Sequence, residues 1–182
     1  MKNTEKITIL GFLRGINVGG HHKVPMAELR QILTEMGFAN VKTLLNSGNT
    51  VFETDQSNIE ELESKIETHL NQQFKFSIPL ILKPKNEILE LVQKNPFEAI
   101  SLHTDLRLYV SFLKTSAHTD KPLPYRSDDG GFEIISIHMN CICSVLDLSK
   151  TKTPDGMKVL ENIFGKNITT RNWNTLLKMV AM

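Results

Sequence analysis

The sequence predicts an α+β fold: a ferredoxin-like β-α-β-β-α-β subdomain over residues 1–83, then a second, smaller α+β subdomain with C-terminal helices over residues 84–182. Three observations carry this reading. Along the first half the hydrophobic period switches between two and 3.6 residues. Proline, glycine and Asn-Ser-Gly punctuation separates the periodic runs. The composition is that of a globular chain: 182 residues, 40% hydrophobic and 23% charged, enough for one domain or two small ones. It excludes a disordered chain, a collagen-like fibre and a bundle of membrane helices.

Each element follows from its residues. Ile7 to Leu13 is apolar on both faces, with Ile7, Ile9 and Leu13 on one side and Leu10 and Phe12 on the other, the pattern of a central strand covered on both sides. Arg14 to Lys23 is a glycine-rich loop. Pro25 opens a helix, since its missing N–H is not needed in a first turn. Met26, Leu29, Ile32, Leu33 and Met36 recur at helical spacing, and Gly37 stops them. Val41 to Leu45 and Thr50 to Glu53 are short strands around the turn Asn46-Ser47-Gly48-Asn49. Ser57 with Glu60 reads as a capping box before the stripe Ile59, Leu62, Ile66, Leu70 and Phe74. Ile78 to Leu82 completes the split βαβ order.

In the second half, Pro84 starts a helix towards Asn95-Pro96, and Leu106 to Leu113 is a strand. Thr115 to Gly131 is a long loop with Pro122, Pro124 and Asp128-Asp129-Gly130-Gly131. Phe132 to His138 and Cys141 to Leu148 form a hairpin turning near Met139-Asn140. Thr153-Pro154-Asp155 opens a helix with Met157, Leu160, Ile163 and Phe164 inward, ended by Gly165. Thr169 or Thr170 caps a last helix with Trp173, Leu176, Leu177 and Val180 on one face. Phe12, Leu33, Leu62, Ile66 and Trp173 are expected in the core.

The formal net charge is +1, which argues against a broad nucleic-acid footprint. Charge is uneven locally: Glu53 to Glu67 sums to −5 and Lys150 to Met182 to +4. These are solvated helix faces, segments that attract each other, or a basic end that meets an anionic ligand. Cys141 and Cys143, one residue apart, cannot bridge without strain, so two reduced thiols and a cytoplasmic location are expected. Arg14 and Gly15 follow the apolar run Ile7 to Leu13 at once, without a cleavage pattern, so no signal peptide is expected. His138, Cys141 and Cys143 offer three ligands where structural zinc takes four, so no metal is expected. No nucleophile elbow, zinc-protease helix or dinucleotide fingerprint is present, and no cofactor is expected. Nothing in the sequence assigns a reaction.

The loop from Arg14 to Lys23 is the first place where chemistry is expected. It follows a strand and precedes a helix, where backbone N–H groups converge on anions. Arg14 offers a bidentate contact to phosphate or carboxylate, and Lys23 a point charge. The alternative is a tight crossover loop whose Arg14 packs against a carboxylate of the protein.

The run Leu13-Arg14-Gly15-Ile16-Asn17-Val18-Gly19-Gly20, with Val24-Pro25-Met26, Leu29, Gly37, Val41, Thr43, Ser47-Gly48-Asn49 and Phe52, resembles the domain of unknown function 1697 family of bacterial proteins. Asn95-Pro96-Phe97 and Thr170-Arg171-Asn172-Trp173-Asn174-Thr175 resemble its mid-chain and closing motifs. The resemblance spans nearly the whole chain and implies an α+β fold with ferredoxin-like subdomains; it implies no function. His21-His22 depart from the more basic pair usual there, and Phe132 to Asp155 departs from the family pattern.

With Thr170 as N-cap, Arg171 and Asn172 fall in the first turn of the last helix, where a cation requires an anionic partner. Ser47 and Asn49 form either a plain hairpin turn or a polar pair beside the Arg14 loop, because the first and third strands are antiparallel neighbours. Arg14, Asn17, Lys23, Ser47, Asn49, Arg171 and Asn172 are therefore the expected ligand-binding residues, gathered in one pocket for a small phosphate- or carboxylate-bearing ligand. The alternative is an RNA-binding or protein-interaction module that uses the ferredoxin-like sheet. Against RNA, the strand Asn49-Thr50-Val51-Phe52-Glu53 lacks a basic-aromatic pattern. No membrane partner is expected.

Overall fold

A computed structural model describes residues 6–115, 117–138 and 140–182. Met139 of the expected hairpin turn and most of the polar N-terminal stretch lie outside the described residues. The chain divides into two units, one of Met1–Leu89 with Lys178–Met182 and one of Glu90–Leu177.

The first unit contains β1 (Ile7–Leu13), α1 (Met26–Glu35), β2 (Ala39–Leu44), β3 (Asn49–Thr54), α2 (Ile59–Phe74) and β4 (Leu80–Pro84). Its sheet runs β2-β3-β1-β4 with every pair antiparallel. β1 is central, as its apolar pattern requires. Ile9 and Leu13 face a core completed by Leu29, Leu33, Phe52, Leu62, Ile66, Leu70 and Leu82. On the opposite face of the strand, Leu10 and Phe12 are equally buried. Each such side chain contributes roughly 1.5–3 kcal/mol through burial. The cap of α2 lies one residue later than expected: Asn58, not Ser57, accepts the Glu61 N–H at 3.2 Å. An Asn side-chain oxygen serves as well as a Ser hydroxyl there, and the phase of the Leu62, Ile66, Leu70 stripe decides between the neighbours.

α3 (Lys85–Lys94) leads into β5 (Leu106–Leu113), β6 (Tyr125–Arg126), β7 (Phe132–His138), β8 (Cys141–Asp147), α4 (Thr153–Phe164), β9 (Ile168–Asn172) and α5 (Trp173–Val180). The second sheet is antiparallel throughout, in the order β6-β7-β8-β5-β9. Leu113, Phe132, Ile134, Ile142, Leu146 and Ile168 form its core with Leu160 of α4. α4 comes so close to the sheet that a Cβ on Gly156 would lie 2.6 Å from Leu146 Cδ1.

Three expectations in this half are corrected. The Thr115 to Gly131 loop contains β6, which pairs Tyr125 with Ile134 and Arg126 with Glu133; an ion pair of 2.8 Å joins the latter two. Thr169 and Thr170 do not cap a helix. They lie in β9, where Thr170 pairs with Ser111 and Arg171 with Val110. Thr suits a strand as well as a cap, and the free edge of β5 decides. Leu177 is exposed rather than on the buried face of α5, while Trp173, Leu176 and Met179 are buried. All five predicted core residues are buried.

Candidate functional site

The sheet of the first unit brings three connections to one end. Phe12 pairs with Asn49, Leu44 with Asn49 and Leu13 with Leu80. The β1–α1 loop, the β2–β3 turn and the α2–β4 connection therefore leave the sheet together. Leu13 N–H donates to Gly48 O at 2.8 Å and Arg14 N–H to Pro79 O at 2.9 Å, tying the three to one another.

Asn17 holds the glycine-rich loop closed. It sits in the left-handed region (φ 56°), which Asn tolerates better than other side chains. Its Oδ1 accepts the Val24 N–H at 2.9 Å, and its Nδ2 donates to Val24 O at 3.0 Å and Asn46 O at 2.7 Å. The side chain thus stands in for a strand partner and links the loop to the β2–β3 turn. At the tip, His21 N–H donates to Val18 O at 3.1 Å. His22 stacks on Phe76 of the α2–β4 connection, ring centroids 4.5 Å apart.

The β2–β3 turn is as ordered. Asn49 is fully buried. Its amide donates to Leu44 O and to Ser47 Oγ, both at 2.9 Å. Gly48 has φ 74°, and a Cβ there would lie 2.6 Å from Leu13 Cβ and 2.7 Å from Ile16 Cδ1. Asn46-Ser47-Gly48-Asn49 is thus a hairpin turn and also a neighbour of the Arg14 loop.

Arg14 and Lys23 supply the charge. Arg14 is half-buried and Lys23 exposed. Among the described residues neither side chain has a carboxylate partner. The segments 14–27, 40–52 and 68–86 contain no Asp or Glu. Pro25, the N-cap of α1, offers no side-chain acceptor, so the N–H groups of the first turn of α1 face this end uncapped, with the positive end of the helix dipole. Two acids do stand near this end, Glu28 in the first turn of α1 and Glu67, whose carboxylate accepts the Leu80 N–H, while Asp55, Glu60 and Glu61 lie at the far end of β3 and the start of α2. The α2–β4 connection adds Lys75, exposed and left-handed at φ 63°. Sequence reasoning passed over Lys75 and the His22–Phe76 stack. The signal was the split βαβ order itself, which sends three connections, not two, to this end.

Arg171 and Asn172 belong to the second unit and have roles other than first-turn residues. Arg171 is in β9, half-buried, and its guanidinium donates to its own neighbour Thr170 O at 2.9 Å. Burial pulls its pKa down to about 10, since a low-dielectric surrounding disfavours the charged form. Asn172 is itself the cap of α5: its Oδ1 accepts the Asn174 N–H at 2.9 Å.

Cys141 and Cys143 are free and buried. Burial pushes the Cys143 thiol up to about 11, against a hydrogen bond from Ser136. The Ser144 hydroxyl is buried and has no partner among the described residues. Those residues include no group of three or more His, Cys, Asp or Glu arranged to hold a metal ion, and no helix long and apolar enough to cross a membrane.

The whole fold is similar to a solved structure described as that of the conserved bacterial protein SP0830 from Streptococcus pneumoniae. The two are 25% identical with a TM-score of 0.75, over 97% of this chain and 98% of that one. No curated protein matches the sequence. The family described as "Protein of unknown function (DUF1697)" matches residues 7–142. That match takes in the glycine-rich loop, the Ser47-Gly48-Asn49 turn and every strand of the first sheet, and the chain belongs to the DUF1697 family.

Proposed function

We propose that the chain binds a small anion, phosphate- or carboxylate-bearing, at the end of the first unit where the β1–α1 loop meets the β2–β3 turn. One observation carries the reading: Arg14 is half-buried and no carboxylate of the described residues pairs with it. A guanidinium that is partly removed from water calls for an anionic partner. The alternative reading of this loop, Arg14 held by a carboxylate of the protein, finds no such carboxylate among the described residues. Lys23 and the uncapped N-terminus of α1 add to the same field. Asn17, Ser47 and Asn49 hold the loop and turn in shape, and Gly15, Gly19 and Gly20 leave the backbone open to a ligand. The two free thiols suit a reducing, cytoplasmic setting.

Titration with inorganic phosphate, pyrophosphate and citrate, followed by backbone amide NMR, tests this. Shifts confined to residues 14–28 and 45–49 are expected with at least one of the three. A charged hydrogen bond contributes about 1.5–3 kcal/mol, so Arg14→Ala should weaken the anion roughly ten- to a hundredfold. Shifts spread evenly over lysines elsewhere, or an affinity untouched by Arg14→Ala, would refute the site.

A further inference from the structure

β4 is an edge strand of the first sheet, bonded to β1 on one side alone. An unpaired edge is a template for another strand. Here its donors are occupied from within. Ile78 N–H donates to Asn71 Oδ1 at 2.6 Å, Leu80 N–H to the Glu67 carboxylate, and Leu82 N–H to Glu63 Oε2 at 2.9 Å. The next position on this side is Pro84, which has no N–H to offer.

The spacing explains how one helix closes the row. Successive outward donors of the segment are two residues apart, about 6.4–6.8 Å. Residues 71, 67 and 63 of α2 are four apart, about 6 Å along the helix, and on one face. Their order runs opposite to that of 78, 80 and 82, so helix and strand stay in step over all three bonds. Glu63, Glu67 and Asn71 are not on the buried stripe of α2, which is Leu62, Ile66 and Leu70. They stand next to it, where residues of the helix reach past the sheet edge.

We infer that this side-chain row is a closed strand-addition surface: Glu63, Glu67 and Asn71 occupy the β4 edge in place of a β-strand, and the partner they exclude is β4 of a second copy of the chain. A second copy is the fitting occupant because two identical edges pair antiparallel about a twofold axis, each supplying the donors and acceptors the other lacks. The inference is independent of the anion site.

The test compares the full chain with Glu63→Ala/Glu67→Ala and with Glu63→Gln/Glu67→Gln, by light scattering across a hundredfold range of concentration and by hydrogen exchange. The Ala pair should exchange the Leu80 and Leu82 amides roughly tenfold faster or more when dilute, and its mass should rise with concentration above that of the parent chain. The Gln pair keeps an acceptor at each place and should keep the parent's mass and exchange. A folded Ala pair, judged by circular dichroism, whose mass tracks the parent's at every concentration would overturn the inference. So would unchanged exchange at Leu80 and Leu82. Should the Ala pair not fold, Glu63→Ala alone, which frees one donor, is read by the same two measurements.

Discussion

Gly48 is the most constrained residue of the candidate site. Its φ of 74° and the 2.6 Å approach of its missing Cβ to Leu13 Cβ leave room for no other residue. Gly48→Ala should lose at least about 2 kcal/mol from the combined left-handed and overpacking costs, read as a lower urea midpoint. A midpoint within error of the parent's would show that the turn relaxes freely. Titratable residues give two further expectations. The Asp147 carboxyl is lowered from 3.8 to about 2, first by the Ser149 hydroxyl, against the cost of burial, and then by the Ser149 amide and Lys150. Its folded value lies below its unfolded one, so its stabilising contribution is full above pH 3.8 and fades as the pH falls towards 2. Asp147→Asn should remove that component from an acid-unfolding curve followed by ellipticity; an identical curve would contradict it. Cys143, raised to about 11 by burial, holds almost no thiolate at pH 8. Iodoacetamide should label it slowly in the native protein and fully in denaturant, and rapid native labelling would contradict the burial.

At the scale of elements, β9 and α5 show how a short segment is decided. Ile168-Thr169-Thr170 is β-branched throughout, and the strand ends where Asn172 turns its side chain back to cap α5. Asn172→Ala should cost about 1 kcal/mol as a lost N-cap. Trp173, one residue on, packs edge-on against Phe97 at 5.2 Å between centroids; Trp173→Ala should cost on the order of 3–5 kcal/mol. The contrast checks the assignment, since equal losses from thermal denaturation would mean that Asn172 does more than cap or that Trp173 is not core. Sequence periodicity placed α5, but its capping residue could not be read from it. Thr169, Thr170 and Asn172 are all good caps, and only the pairing of Thr170 with Ser111 removes the first two from contention. Asn58 against Ser57 is the same ambiguity, settled by the phase of the buried stripe.

For the molecule as a whole, the two units each have their own core, and chain ends do not respect the division: Lys178–Met182 belongs with residues 1–89. Native-state hydrogen exchange should resolve residues 6–89 with 178–182 as one cooperative block and 90–177 as another; a single block with one opening energy would contradict this. Lys42 Nζ, which donates to Met182 O at 2.7 Å, is one bond holding the returning segment to the first unit. By itself the sequence determined the α+β class, the β-α-β-β-α-β order, the central place of β1 and the five core residues. These depend on periodicity and on two-faced burial, which are local properties of the chain. It also located the Arg14 loop and its Ser47-Gly48-Asn49 neighbour, because an antiparallel β1–β3 pair forces both to one end. Tertiary structure alone decided the rest. That Asn17 closes its own loop depended on Val24 and Asn46 being within reach. Whether Arg171 opened a helix or ended a strand depended on the free edge of β5. Lys75 and Phe76 joined the basic end only through the meeting of three connections distant in sequence. The physical reason is common to all of these: a polar side chain has several partners of similar strength, and which it takes depends on distances that the fold, not its neighbours in sequence, sets.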